Sequence, residues 1–207
     1  MNRTDVTLEV DGTSYPGRLN EPTGTVEGAV LVVPGAGHGP YGDVFDRVAE
    51  AAAERGYLVA RFVTWEDHDD LDAKTTADFR AELRAGVEFL RDRDPGSVSV
   101  VAKSFGGRLA LRHLPADRAD RLVLWAPAIL FGEHDELPSI TASELAEVDV
   151  PTRILQGDED EAVSVENATA LAEHLPEGAV VELPGENHSF RTDEQRVVEE
   201  TVDFLGD

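Results

Sequence analysis

The sequence predicts an α/β fold: a three-layer α/β/α sandwich whose mostly parallel sheet carries an antiparallel hairpin at its N-terminal edge. Three observations predict it. From Gly28 onward, short β-branched apolar runs alternate with segments of helical periodicity. The first of those runs, Ala29–Val33, is continuously apolar, as a parallel strand covered on both faces is. Before Gly28 the pattern differs, with two alternating stretches joined by Asp11-Gly12, a hairpin signal. Strand–helix alternation at this rhythm implies parallel strands linked by crossover helices on both faces of the sheet.

Each element has its own warrant. Val6–Val10 and Ser14–Leu19 alternate and form the hairpin, at a sheet edge where Pro16 is tolerated. Glu21–Gly24 is a loop, and Ala29–Val33 is the first buried strand. Phe45, Val48, Ala49, Ala52 and Ala53 then recur at helical spacing until Gly56. Tyr57–Val63 is a strand, followed by a long helix with Phe79, Leu83, Val87 and Leu90 on one face, stopped by Pro95-Gly96. Val98–Ala102 is a strand, a helix runs to about Leu114 before Pro115, and Leu122–Trp125 is a strand. A short cap-like insertion at about 128–150 holds one helix, begun by the capping box Thr141-x-x-Glu144. Thr152–Leu155 is a strand, and Ser164 opens a helix burying Val165, Ala168, Leu171, Ala172 and Leu175. Ala179–Leu183 reads as the last strand. The last helix starts at the box Thr192-x-x-Gln195 and buries Val198, Thr201, Val202 and Leu205.

Composition bounds the chemistry. The 207 residues fit one domain over 1–207, of a size that buries roughly 70% of its unfolded surface. With no cysteine there is no disulfide and no thiolate metal site, so chemistry falls to Ser, His, Asp and Glu. No segment reads as a secretion signal or a membrane span, so a cytoplasmic location is expected. Asp and Glu number 42 against 18 Lys and Arg, for a formal charge of −24, and only Lys74 and Lys103 are lysines. Such a surface repels nucleic acid and anionic membranes and leaves small molecules as the expected partners. The acids are spread through helical patterns rather than gathered in a tail. Acidic, lysine-poor chains of this kind resemble those of halophiles that keep molar salt in the cytoplasm, which implies a fold that needs high salt.

In open α/β sheets, sites form at the carboxyl ends of the strands. Pro34-Gly35-Ala36-Gly37-His38-Gly39 follows the first buried strand, Ser104 follows Val98–Ala102, Gly157-Asp158-Glu159-Asp160-Glu161 follows Thr152–Leu155, and Asn187-His188-Ser189-Phe190 follows the last strand. A serine, an acid and a histidine thus stand at three strand ends. Ala102-Lys103-Ser104-Phe105-Gly106 also has the small residues two places either side of the serine that a tight strand-to-helix turn requires.

These motifs together resemble a small α/β-hydrolase over nearly the whole chain from Gly28, close to compact dienelactone-hydrolase-like and small esterase-like members. The resemblance implies Ser104 as nucleophile, His188 as base and Asp160 as acid, with Asp158 the rival. It implies an oxyanion hole from the backbone N–H groups of Ala36 and Phe105. The implied activity is cleavage of small carboxylic esters or related acyl compounds through an acyl-enzyme, and transfer to an acceptor other than water would use the same residues. The triad chemistry so implied needs neither metal nor organic cofactor. Two departures stand out: Pro34-Gly35 replaces the usual His-Gly opening of the oxyanion loop, and Ala102 replaces the commoner Gly. Dienelactone hydrolases proper use a cysteine that this chain lacks.

The remaining candidates have plainer readings. His38 and Trp65 are possible substrate-pocket residues, with an exposed loop and core packing as the respective alternatives. His68 in Glu66-Asp67-His68-Asp69-Asp70 has no second histidine at ligand spacing, so a solvated acidic face explains it. Lys103 is expected to form an ion pair. The glycines of the Pro34–Gly39 loop lack a phosphate-binding pattern. Pro34 and Lys103 also keep open a hydrolase-fold binding or scaffold protein without activity.

Overall fold

A computed structural model describes residues 1–37, 39–114, 119–135 and 137–206. Strands β1 (Asn2–Val10) and β2 (Thr13–Glu21) pair antiparallel from Asn2↔Glu21 to Val10↔Thr13. Asp11 (φ 49°) and Gly12 (φ 86°) both take left-handed conformations at the turn, the two-residue geometry that matches strand twist. Both strands outrun the alternating stretches, because ladder bonds hold the exposed Asn2–Asp5 segment where no side chain is buried.

Then follow β3 (Gly28–Val33), α1 (Asp43–Glu54), β4 (Tyr57–Phe62), α2 (His68–Asp72), α3 (Thr76–Arg91), β5 (Val98–Lys103), α4 (Phe105–His113) and β6 (Arg121–Trp125). The second half holds β7 (Leu130–Phe131), β8 (Ser139–Ile140), α5 (Ala142–Leu145), β9 (Thr152–Gly157), α6 (Val165–His174), β10 (Gly178–Leu183) and α7 (Glu194–Leu205). The main sheet has eight strands in the order β1-β2-β4-β3-β5-β6-β9-β10, parallel from β4 to β10. This is the α/β-type sandwich expected, with the antiparallel strands at one edge. Pro16 is accommodated differently from expectation. Its strand β2 lies one place in from the edge, paired with β4 from Gly17↔Phe62 to Asn20↔Val59. Pro16 sits just past that ladder, where its carbonyl accepts from the Val63 N–H at 2.9 Å, so little is lost with its missing donor.

The core lies in two layers because successive strand residues point to opposite faces. Ala29, Leu31 and Val33 of β3 and Val98, Val100 and Ala102 of β5 pack with Phe79, Leu83, Val87 and Leu90 of α3 and with Leu109 of α4. Val30, Val32 and Val101 face the other way, onto Val44, Val48 and Ala52 of α1 and Val197, Val198 and Val202 of α7. Each buried Val, Leu or Phe among them contributes about 1.5–3 kcal/mol by leaving water, so these two layers fix the sheet as a rigid platform for its strand ends.

Three further features depart from the sequence reading. The short helix α2 occupies the acidic run, with the Asp67 side chain accepting from the Asp70 N–H at 3.1 Å and its first-turn acids favoured by the helix N-terminus. The insertion holds a two-residue parallel ladder, β7–β8, besides the expected α5 with its Thr141–Glu144 capping box. Helix α7 is capped by Asp193, not by the Thr192 box, because the Thr192 and Asp193 N–H groups are taken by the buried Glu186 carboxylate. The Pro115 helix stop lies outside the described residues.

Candidate active site

β5 passes into α4 through the single residue Ser104, at φ 51° and ψ −114°. A non-glycine residue there carries about 1–3 kcal/mol of strain and persists only when its surroundings hold it. They do: the Ser104 N–H donates to Trp125 O at 2.8 Å, and its carbonyl accepts from the N–H groups of Ala128 at 2.9 Å and Arg108 at 3.1 Å. Crowding explains the small neighbours. A Cβ on Gly106 would lie 2.5 Å from Pro34 O, and Ala102 is fully buried.

The acid and the histidine arrive on two loops that cross. At the end of β9, a Cβ on Gly157 would collide with the Glu186 carbonyl oxygen, so only glycine lets the histidine loop pass. Beyond it, Asp160 has no exposed side-chain surface, while His188 keeps about a third of its own. Asp160 Oδ2 accepts from His188 Nδ1 at 2.8 Å, and His188 Nε2, free to accept when the proton is on Nδ1, meets Ser104 Oγ at 2.8 Å. The Asp160 side chain also accepts from the N–H groups of Ala162 (2.8 Å) and Val163 (2.9 Å) and from Gln156 Nε2 (3.0 Å). Burial pushes the Asp160 carboxyl up, but the Val163 N–H, the His188 ring and the Ala162 N–H outweigh it and hold it below the usual carboxylate range. Asp158, the rival, turns instead to the Gly185 N–H at 2.7 Å.

Two side chains supporting this arrangement escape a reading of motifs. Gln156, fully buried, grips Asp160 and the Val163 carbonyl (2.7 Å). Glu186, 1% exposed, ties the start of α7 back to the histidine loop. The signal for Gln156 is a polar residue just after Leu155, at a position where the apolar run has ended but the strand continues to Gly157.

Across from Ser104, a Cβ on Gly35 would lie 3.3 Å from Ser104 Cβ, so the Pro34–Gly37 segment passes directly by the serine. Phe105 is the first residue of α4, where an N–H has no partner within the helix. Trp65, 3% exposed, donates from Nε1 to Gly35 O at 3.1 Å and meets Phe105 and Phe79 edge-on. It packs and braces the Gly35 loop. Beneath lies a largely apolar cavity of about 30 Å³ bordered by Pro34, Trp65 and Phe79. His38 lies outside the described residues.

Lys103 departs from expectation. Among the described residues no carboxylate pairs with it; its ammonium lies 5.9 Å from the centre of the Phe190 ring. The side chain lines a cleft with Tyr41, Asp43, Phe45, Ser189 and Arg191, where burial pushes its pKa down and the charges of Asp160 and Asp43 only partly oppose it. Among the described residues, no group of three or more His, Asp or Glu side chains is arranged to hold a metal, and no helix is long and apolar enough to cross a membrane.

A family model described as an alpha/beta hydrolase domain matches residues 26–203. No curated protein matches the chain by sequence. Among solved structures, Est1E from Butyrivibrio proteoclasticus is similar with a TM-score of 0.81 at 19% identity, covering 97% of each chain. A dienelactone hydrolase from Anabaena variabilis gives 0.78 at 19% identity, over 98% of this chain and 95% of that one. The esterase domain of a Rhodothermus marinus protein gives 0.75 at 17% identity, over 98% and 97%.

Proposed function

The chain belongs to the α/β-hydrolase domain family, and on that premise we propose that it hydrolyses small carboxylic esters or related acyl compounds with Ser104 as nucleophile. The observation that carries the reading is the unbroken relay from Ser104 Oγ through the His188 ring to Asp160, with 2.8 Å at both junctions. The hydroxyl of Ser104 is a weak nucleophile until a base takes its proton, and His188 Nε2 is in place to do so. As Oγ bonds to the substrate carbonyl carbon, the imidazolium that forms is stabilised by Asp160, which also holds the ring in the required tautomer. The carbonyl oxygen becomes an oxyanion facing the N–H groups of Phe105 and Ala36, and such a donor is worth about 2.7–4 kcal/mol of barrier. His188 then protonates the departing alkoxide, leaving an acyl-Ser104 ester. Water, deprotonated by the same ring, attacks that ester and restores the serine. No metal or organic cofactor enters these steps. The short Ala126–Pro151 connection, holding only β7, β8 and α5 among its described residues, favours small acyl substrates over long lipids.

Turnover of small aryl esters tests this. Ser104→Ala is expected to lower kcat/KM by at least about 10³-fold, with the circular dichroism of the wild type preserved. Wild-type turnover by the variant overturns the mechanism.

A further inference from the structure

The Ala36 N–H, one of the two proposed oxyanion donors, belongs to the same peptide unit as the Gly35 carbonyl. That unit is planar and trans, so its C=O and its N–H point in opposite directions. The Gly35 oxygen accepts from Trp65 Nε1 at 3.1 Å. Fixing the carbonyl therefore fixes the direction of the N–H across the plane. We infer that Trp65 is a positioning residue: its indole N–H holds the 35–36 peptide in the orientation that presents the Ala36 N–H to the oxyanion. The inference rests on the proposed ester hydrolysis and adds a residue that acts through the oxyanion hole, without touching the substrate.

The topology brings the two residues together. β3 and β4 are parallel neighbours, so Gly35, just past Val33, and Trp65, just past Phe62, leave the sheet at the same edge. Gly35 lies against the serine: a Cβ there would meet Ser104 Cβ at 3.3 Å and Oγ at 3.9 Å. Glycine has no side chain to restrain its own backbone torsions, so a peptide that begins with it rotates easily unless something outside holds it. Among the described residues, the Gly35 oxygen accepts a hydrogen bond from Trp65 alone. The indole itself is fixed by burial and by edge-on contacts with Phe79, at 6.1 Å, and Phe105, at 5.9 Å. Phe105 carries the second proposed donor, so one side chain contacts both segments that would share the oxyanion. Packing alone would be served by a phenylalanine, whereas a buried indole N–H needs an acceptor, and here that acceptor is the peptide of the hole. The bond also polarises that peptide, because a carbonyl that accepts makes the N–H of the same unit a stronger donor.

The test uses small aryl esters and an aliphatic trifluoromethyl ketone, whose adduct with a serine carries an oxyanion. Trp65→Phe keeps a ring and removes the donor. It is expected to lower kcat by at least about tenfold, short of the roughly 10²–10³ that loss of a whole oxyanion donor costs, and to leave KM within about twofold. The ketone is expected to bind more weakly by a similar factor. Phe79→Leu, which removes a ring from the same cluster but no hydrogen bond, is expected to lower kcat by less than about threefold. The wild type gives a second readout, independent of any variant. The chain has two tryptophans, and the indole proton of Trp65 is assigned by NMR through its contacts with Phe79 and Phe105. Adding the ketone is expected to move that proton downfield, and to move the indole proton of Trp125, which donates to Thr201 Oγ1 at 3.0 Å, by less. An unchanged kcat in folded Trp65→Phe, an equal loss in Phe79→Leu, or a Trp65 proton that does not respond to the adduct overturns the positioning role and leaves the hydrolase reading intact. A wild type that turns over no ester and forms no adduct removes the hydrolase reading, and this role with it.

Discussion

Four hydrogen bonds converge on the Asp160 carboxylate, from two backbone N–H groups, Gln156 and His188. The group is therefore built into the loop as well as aimed at the histidine. Asp160→Asn is expected to reduce kcat by about 10⁴-fold, since an amide no longer selects the ring tautomer. Its pH behaviour follows from sign. The folded carboxyl lies below its ordinary value, because the Val163 N–H, His188 and the Ala162 N–H outweigh the opposing effect of burial. Its stabilising contribution is present above the unfolded value of about 3.9 and is lost as pH falls through the lower folded value. Denaturant midpoints of wild type and Asp160→Asn should thus draw together as pH falls below about 4. A gap that widens on acidification contradicts this. Ser104 and His188 were legible as motifs because crowding at the elbow and the place of the loop before the last helix constrain neighbouring residue types. The choice between Asp160 and Asp158 was not, since it depends on which carboxylate the loop turns inward.

Tyr15 of β2, Lys74 before α3 and Glu82 within α3 join the hairpin to the helix layer. The Tyr15 hydroxyl donates to Glu82 Oε1 at 2.8 Å, and the Lys74 ammonium binds the same oxygen. Burial pushes the Glu82 carboxyl up, with Lys74 and Tyr15 only partly opposing it. Removing the cation leaves that carboxylate buried and uncompensated, so Lys74→Met should lower stability by about 3–5 kcal/mol, and adding Glu82→Leu should recover most of the loss. Urea denaturation of both variants checks this; a neutral Lys74→Met contradicts it. Long elements were readable because α1, α3 and the core strands each repeat their apolar period several times. Helix α2 and the β7–β8 ladder have five residues or fewer per element, shorter than two helical turns or a run of alternation, and depend on neighbours for their existence. The Thr192 box does not form because the competing acceptor, Glu186, comes from a different turn of the loop.

For the whole molecule, the layered order of strands and helices was legible because both faces of the sheet are covered, which writes an unbroken apolar run into β3 and mainly apolar ones into β4, β5 and β6, where Arg61 and Ser99 are the buried polar exceptions. How the loops at the strand ends meet was legible only in outline, because close passages such as that of Gly157 past Glu186 are tertiary. The charge of −24 acts at this scale too. In dilute buffer the acidic surface repels itself, and at about 1 M salt the screening length falls to ~3 Å. We expect Tm to rise by at least about 10 °C between dilute buffer and molar KCl; an unchanged Tm contradicts a fold that needs salt.

The central claim is that Ser104 is an activated nucleophile. Intact-mass and peptide mapping after exposure to a fluorophosphonate in molar KCl tests it most directly. The account predicts one adduct, on Ser104, absent in Ser104→Ala and slowed strongly in His188→Ala. A folded wild-type protein that takes no adduct, or takes it elsewhere, contradicts it.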